Sequence, residues 1–194
     1  MLTEPAAASV SPRDAHPLPH LTLVLGGARS GKSRHAELMI EESAREAVYL
    51  ATAEAGDGEM AERIRRHRRR RAEQGATSWR TVEEPLALVA ILTEMARPGR
   101  PILVDCLTLW LSNLLLAGRD VATETATLVA ALPGVVAPLV LVANEVGLGI
   151  VPDNALAREF RDHAGLLNQS VASIADRVVF VAAGLPITLK ESRR

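Results

Sequence analysis

The sequence predicts an α/β fold, a mostly parallel sheet flanked by helices. Two observations predict it. From Leu21 onward, short apolar runs alternate with amphipathic stretches at helical spacing, the pattern of repeated strand–helix units. The first of these units also carries a glycine-rich turn, Gly26-Gly27-Ala28-Arg29-Ser30-Gly31-Lys32-Ser33, between the apolar run 21–25 and a helical pattern of Ala36, Met39, Ile40 and Ala44.

That turn matches G-x-x-x-x-G-K-[ST] with strand before and helix after, the context that makes the pattern a phosphate site, a P-loop. Glycines let the backbone close around a phosphate chain with its N–H groups pointing inward, and the helix N-terminus adds partial positive charge. Lys32 would reach the β- and γ-phosphates, and the Ser33 hydroxyl would ligate Mg²⁺.

Further strands are expected at 47–51, 79–82, 101–105, 138–143 and 177–182. Helices are expected at about 32–45, 58–72, 85–96, 107–117, 120–131 and 153–175. Pro85 is read as a first helical residue and Asp153 as an N-cap, while Gly75, Gly99, Gly118 and Gly134 punctuate breaks. With no repeat and no linker, residues 21–194 read as a single P-loop domain. Residues 1–20, with Pro5, Pro12, Pro17 and Pro19 and no periodicity, read as a flexible N-terminal extension.

Open α/β sheets bind ligands beyond the carboxyl ends of their strands. The polar residues there are Thr52, Glu54, Glu83, Asp105, Asn144 and Glu145. Ile102-Leu103-Val104-Asp105 has the form of a Walker B strand, whose terminal carboxylate would hold Mg²⁺ directly or through water. The segment 144–152, Asn-Glu-Val-Gly-Leu-Gly-Ile-Val-Pro, is either a tight, partly buried loop or one that shapes a substrate pocket or a mobile flap, with Asn144, Glu145, Gly147 and Gly149 its candidate residues.

Composition narrows the classes. A chain of 194 residues is long enough for one domain with a core, and a net charge of −1 points to neither nucleic acid nor a membrane surface. No apolar run reaches the ~18–20 residues of a bilayer span, and the N-terminus lacks the basic start and apolar core of a secretory signal. A lone cysteine, Cys106, supports neither a disulfide framework nor a cysteine metal cluster, and suits a reducing cytoplasm.

Residues 56–71 are the least expected segment. Met60, Ile64 and His67 recur at i, i+4 and i+7, so the histidine falls on the apolar face, and Arg68, Arg69, Arg70 and Arg71 follow. Three readings stand: a half-buried histidine beside a solvated basic face, a nucleic-acid patch, or a histidine presented to an activated phosphate among cations. The patch lacks interleaved aromatic residues. A neutral imidazole is a competent nucleophile toward phosphorus, and arginines beside it would stabilise phosphoryl oxygens.

Several stretches together resemble the bifunctional adenosylcobinamide kinase/adenosylcobinamide-phosphate guanylyltransferases of cobalamin biosynthesis. They are GGARSGKSRHAE at 26–37, YLAT at 49–52, EMAERIRRH at 59–67, WRTVEEP at 79–85, NEVGLGIVP at 144–152 and LAREFRDHAGLLNQSVA at 156–172. The resemblance spans nearly all of residues 21–190. It implies a RecA-like P-loop fold, usually a homotrimer, and two activities. A nucleoside triphosphate phosphorylates the aminopropanol hydroxyl of adenosylcobinamide. GMP is then transferred from GTP to that phosphate, giving adenosyl-GDP-cobinamide and pyrophosphate. The resemblance also implies a covalent GMP–histidine at His67, and GTP contacts at Arg68 to Arg71, at Thr52, Ala53 and Glu54, and at Glu83 and Asp105. ATP and GTP are the implied substrates and Mg²⁺ the implied cofactor. The extension 1–20 lies outside the family pattern, the connection 117–135 is short and poorly matched, and some relatives carry Glu in place of Asp105. Two rival readings are a small-molecule P-loop kinase without guanylyl transfer and a nucleotide-dependent binding module.

Overall fold

A computed structural model describes residues 18–53 and 77–192. The expected helix 58–72, Gly75 and most of the N-terminal extension lie outside these residues. The described chain forms seven strands: β1 (Leu21–Gly26), β2 (Glu46–Ala51), β3 (Ser78–Glu83), β4 (Ile102–Asp105), β5 (Leu139–Asn144), β6 (Arg177–Ala182) and β7 (Leu185–Glu191). Five α-helices are described: α1 (Lys32–Glu41), α2 (Leu88–Met95), α3 (Leu107–Leu116), α4 (Val121–Ala131) and α5 (Ala155–Ile174). A 3₁₀ turn, Leu132–Gly134, follows α4.

The strands form one sheet in the order β3-β2-β4-β5-β1-β6-β7. All neighbours are parallel except β6 and β7. The α/β, mostly parallel expectation therefore stands. Strand period decides which helices cover which face. Leu21, Leu23 and Leu25, with Val48, Leu50, Ile102, Val104, Leu139 and Leu141, face the larger core, which also holds Trp110, Leu111, Leu114, Leu167 and Val171. Val24, Tyr49, Leu103, Val140 and Val142 face the other side, against Ala36 and Ile40 of α1. A sheet buried on both faces needs near-continuous apolar strands, and LTLVLG, ILVD and LVLVAN supply them.

Several element boundaries correct the sequence expectations. Helix α1 stops at Glu41 rather than 45, because Ser43 donates both its N–H and its hydroxyl to Ile40 O and so closes the last turn. Pro85 is not a first helical residue. The Glu84 carboxylate accepts from the N–H groups of Leu86 (2.9 Å) and Ala87 (2.7 Å), and α2 begins only at Leu88. Asn154, not Asp153, caps α5, its Oδ1 accepting from Ala157 N at 3.2 Å. Gly118 does end α3, at φ 63°, with Gly118 N bonded to Leu115 O and Arg119 N to Leu114 O, the paired bonds of a Schellman stop.

The sequence reading missed β7. It returns through the two-residue turn Ala183-Gly184, both at positive φ (51° and 81°), the geometry that matches strand twist in a tight hairpin. Lys190 of β7 then donates to Ala172 O and Ser173 O, satisfying carbonyls at the C-terminus of α5.

Candidate active site

The glycine loop departs from β1 at a place with no room for a side chain. A Cβ on Gly26 would lie 2.5 Å from Val181 O of β6 and 2.6 Å from Ser30 Oγ. Gly31 closes the loop in the left-handed region at φ 95° and passes 3.2 Å (from an added Cβ) beside the Gly184 Cα. Gly184 N donates to Ser30 O at 2.8 Å, so the β6–β7 turn buttresses the loop. Arg29 also sits at positive φ, 57°, and it and Ala28 are exposed at the loop tip. Lys32 folds back over the loop, its Nζ donating to Gly27 O at 3.1 Å, and is only 8% exposed. Ser33 follows, half-buried in the first turn of α1. Behind it, Glu37 is fully buried, with Arg34 Nη1 at 3.7 Å.

Register and strand period bring the other candidates to the same edge and face. Gly26 pairs with Asn144, Ala51 with both Asp105 and Glu83, and each is two residues or a multiple of two beyond a side chain on the α1 face. Asp105 Oδ2 accepts from Tyr49 Oη at 2.8 Å, which fixes one carboxylate oxygen and leaves the other for a ligand. Thr52 is fully buried. Its hydroxyl donates to Cys106 O (2.7 Å) and accepts from Cys106 N (2.9 Å), clamping the backbone just after Asp105. Its carbonyl accepts from Asn113 Nδ2 at 2.7 Å. Ala53 follows it, half-buried, and Glu83 is exposed at the end of β3. Burial, and then the Asp105 charge beside it, push the Cys106 thiol up to about 11, so it stays protonated next to the edge.

The 144–152 segment begins at this edge. Glu145 N donates to Gly26 O at 3.1 Å, joining it to the loop's first residue, and Glu145 Oε1 accepts from Gly147 N at 2.5 Å. Beyond that it rises into solvent: Gly147 and Gly149 are exposed, and Leu148 and Ile150 are 83% and 97% exposed. The segment is thus half-buried at Asn144, Glu145 and Val146 and exposed from Gly147 to Val151. Glu54, His67, Arg68, Arg69, Arg70 and Arg71 lie outside the described residues. The structure also places residues here that sequence reasoning did not single out: Tyr49 on Asp105, Asn113 on Thr52, and Thr108 and Asn168 on the Asn144 backbone. Asn168 had one signal, a polar residue inside the buried stripe Ala164, Leu167, Val171 of α5.

A phosphate loop, a carboxylate and a strand-end amide on one edge give phosphoryl chemistry but no substrate. A family model described as cobinamide kinase / cobinamide phosphate guanyltransferase (CobU) matches residues 22–189. The chain belongs to this family. Its relatives include a Pseudomonas aeruginosa protein named bifunctional adenosylcobalamin biosynthesis protein CobP, 51% identical over 170 residues, which cover 87% of this chain and 96% of that one. An Escherichia coli protein named bifunctional adenosylcobalamin biosynthesis protein CobU is 41% identical over 185 residues, 88% of this chain and 99% of that one. A solved Pyrococcus horikoshii OT3 structure superposes with a TM-score of 0.53 at 10% identity, over 92% of this chain and 90% of that one, a likeness of fold alone. The family's match begins inside β1 and ends inside β7, so it includes every candidate residue above. Among the described residues, no helix is long and apolar enough to cross a membrane.

Proposed function

We propose that this chain phosphorylates the aminopropanol hydroxyl of adenosylcobinamide with ATP or GTP, and then transfers GMP from GTP to the new phosphate. The observation that carries this reading is the common edge. Gly26 of the loop, Asp105 and Asn144 stand in register on one face of the sheet, with Thr52 at the same strand ends, in a chain whose family is described by these two reactions.

The residues fit Mg²⁺. A serine hydroxyl and a carboxylate oxygen not taken by Tyr49 are hard oxygen donors, and no cluster of three or more His, Cys, Asp or Glu exists among the described residues to hold an ion without the nucleotide. Ser33 and Asp105 would hold it, where it would offset charge on the triphosphate. Lys32 releases Gly27 O and turns its ammonium to the β- and γ-phosphates. Backbone N–H groups of the loop hold the phosphate oxygens, and the start of α1 adds its dipole.

For the second reaction we assign His67 as nucleophile, from the family resemblance and the chemistry of imidazole. Its ring nitrogen attacks the α-phosphorus of GTP, the N–P bond forms, and the bond to the bridging oxygen breaks with its electron pair leaving on pyrophosphate. A phosphate oxygen of adenosylcobinamide phosphate then attacks the same phosphorus and the N–P bond breaks, returning the pair to the ring. Arg68 to Arg71, Glu54, Ala53 and Glu83 are assigned to GTP, and a homotrimer is the assembly this reading carries.

The test is incubation of the protein and its His67→Ala variant with Mg²⁺ and GTP labelled at the α- or the γ-phosphate, followed by denaturing gels before and after mild acid. Acid-labile label from α-GTP only, absent in His67→Ala, is expected. No label on a folded, GTP-binding protein overturns the nucleophile and leaves a kinase or a binding module. Label from γ-GTP shows autophosphorylation instead and overturns the guanylyl reading.

A further inference from the structure

Asn144 ends β5 with its backbone held from three elements. Its N–H meets Thr108 Oγ1 of α3 at 2.6 Å, its carbonyl accepts from Asn168 Nδ2 of α5 at 3.2 Å, and the next N–H donates to Gly26 O of β1 at 3.1 Å. The alternation that sends Val140 and Val142 to the α1 face sends the Asn144 side chain there too, beside its register partner Gly26. Its Oδ1 is nevertheless buried without a hydrogen-bond partner. Ser30 Oγ is a second buried atom without a partner, 2.6 Å from where a Gly26 Cβ would stand.

Buried polar atoms are normally satisfied, and an apolar residue of the same shape would remove the penalty. Here an amide acceptor and a hydroxyl donor, both unmet, flank the point where the phosphate loop begins. They suit a ligand that accepts on one side and donates on the other. A triphosphate next to an alcohol is such a ligand, since phosphoryl oxygens accept and the alcohol O–H donates.

Resting on the functional reading above, we propose that Asn144 is a catalytic residue of the phosphoryl-transfer reaction. Its Oδ1 accepts the hydrogen bond of the acceptor hydroxyl and holds that oxygen in line with the γ-phosphorus. An amide oxygen is too weak a base to take the proton, so its role is alignment. The bond from alcohol oxygen to γ-phosphorus forms while the bond from γ-phosphorus to the β,γ-bridging oxygen breaks. The electron pair stays on the nucleoside diphosphate, and the hydroxyl proton leaves to water. Ser30 Oγ, close beside Gly26, donates to a phosphate oxygen.

Asn144→Leu tests this, because leucine matches asparagine in shape and removes the orphaned oxygen. Wild type and variant are compared for melting temperature, ATP affinity, and phosphorylation of adenosylcobinamide by ATP. The expected result is an equal or higher melting temperature, an ATP Kd within about threefold, and a kcat lowered about 100-fold, the scale of losing one aligned hydrogen bond to a reacting group. A kcat undiminished in the variant overturns the inference. A kcat that falls only together with melting temperature and ATP affinity marks a structural role and overturns it as well, and Asn144→Ala decides the same points if the leucine variant does not fold. Absence of turnover by the wild-type chain overturns the functional reading itself, and this inference with it.

Discussion

The two glycines that open the phosphate loop are identical in sequence and opposite in environment, which makes them a sharp test of how the loop is held. Alanine at Gly26 places a methyl group 2.5 Å from Val181 O, about 0.9 Å inside the 3.4 Å at which ordinary contact begins. Ser30 Oγ, the other close atom, can rotate away because it has no partner to lose. Val181 O cannot, since it belongs to the backbone of β6, which is paired along β1. Overpacking against backbone costs about 1–3 kcal/mol, and roughly 2 kcal/mol suits a displacement of this size. For a chain of this length that is a melting temperature lower by about 4–8 °C. Gly27 has no heavy atom within 4 Å of its added Cβ and does not sit at positive φ, so Gly27→Ala fits. Reduced freedom of the unfolded chain then raises stability by about 0.4–1 kcal/mol. Thermal denaturation of both variants without nucleotide reads the difference directly. A Gly26→Ala protein melting within about 1 °C of wild type refutes the reasoning, because β6 would then not fix where the loop begins.

Two further perturbations have their signs set by the structure. Thr52→Val keeps the shape of a fully buried residue but removes both bonds to Cys106, leaving its N–H unmet and its carbonyl with the Trp110 N–H alone. Urea unfolding should show a loss of about 1–3 kcal/mol, and Thr52→Ser should recover most of it. The His35 pKa lies below its ordinary value of 6.5, lowered first by burial and then by Arg177, with Glu42 opposing. The folded state therefore binds this proton less readily than the unfolded chain, so the stability it contributes is present above 6.5 and lost as pH falls toward the folded pKa. Melting curves between pH 7.5 and pH 5.5, conditions of about neutral to mildly acid buffer, should slope less in His35→Gln than in wild type. Equal slopes would remove His35 from the pH response.

What could be read in the sequence was what is encoded locally. The phosphate loop is contiguous, so its strand, glycines, Lys32 and helix announce one another. Asp105 and Asn144 followed from a strand-end rule that needs only the apolar runs before them. The strand β7 was hidden for three reasons. Its turn, Ala183-Gly184, has an alanine at positive φ where an asparagine would signal a hairpin. Pro186 interrupts the strand, acceptable only because β7 is an edge. Nearly all its residues are exposed, so no buried face gives a clear period. The caps failed differently: Asp153 and Asn154 are both competent, and only the register of the α5 stripe against the sheet selects the second.

The residues that support the edge were hidden for a reason that bears on function. Asn113 reaches Thr52 across 61 positions, and Tyr49 reaches Asp105 across 56. Each looks unremarkable alone, a polar residue on a helix and an aromatic one in a strand. Their partners become visible only when the sheet sets β2 beside β4. The same pairing explains why Asp105 can be held by a phenol instead of a cation: a hydrogen bond to one oxygen orients the carboxylate without neutralising it, which preserves the charge a metal-bound nucleotide needs. Tyr49→Phe should therefore leave the fold intact and weaken Mg²⁺-dependent nucleotide binding more than metal-free binding. Equal effects on both, read by titration with and without Mg²⁺, would mean that the phenol supports the strand and not the carboxylate.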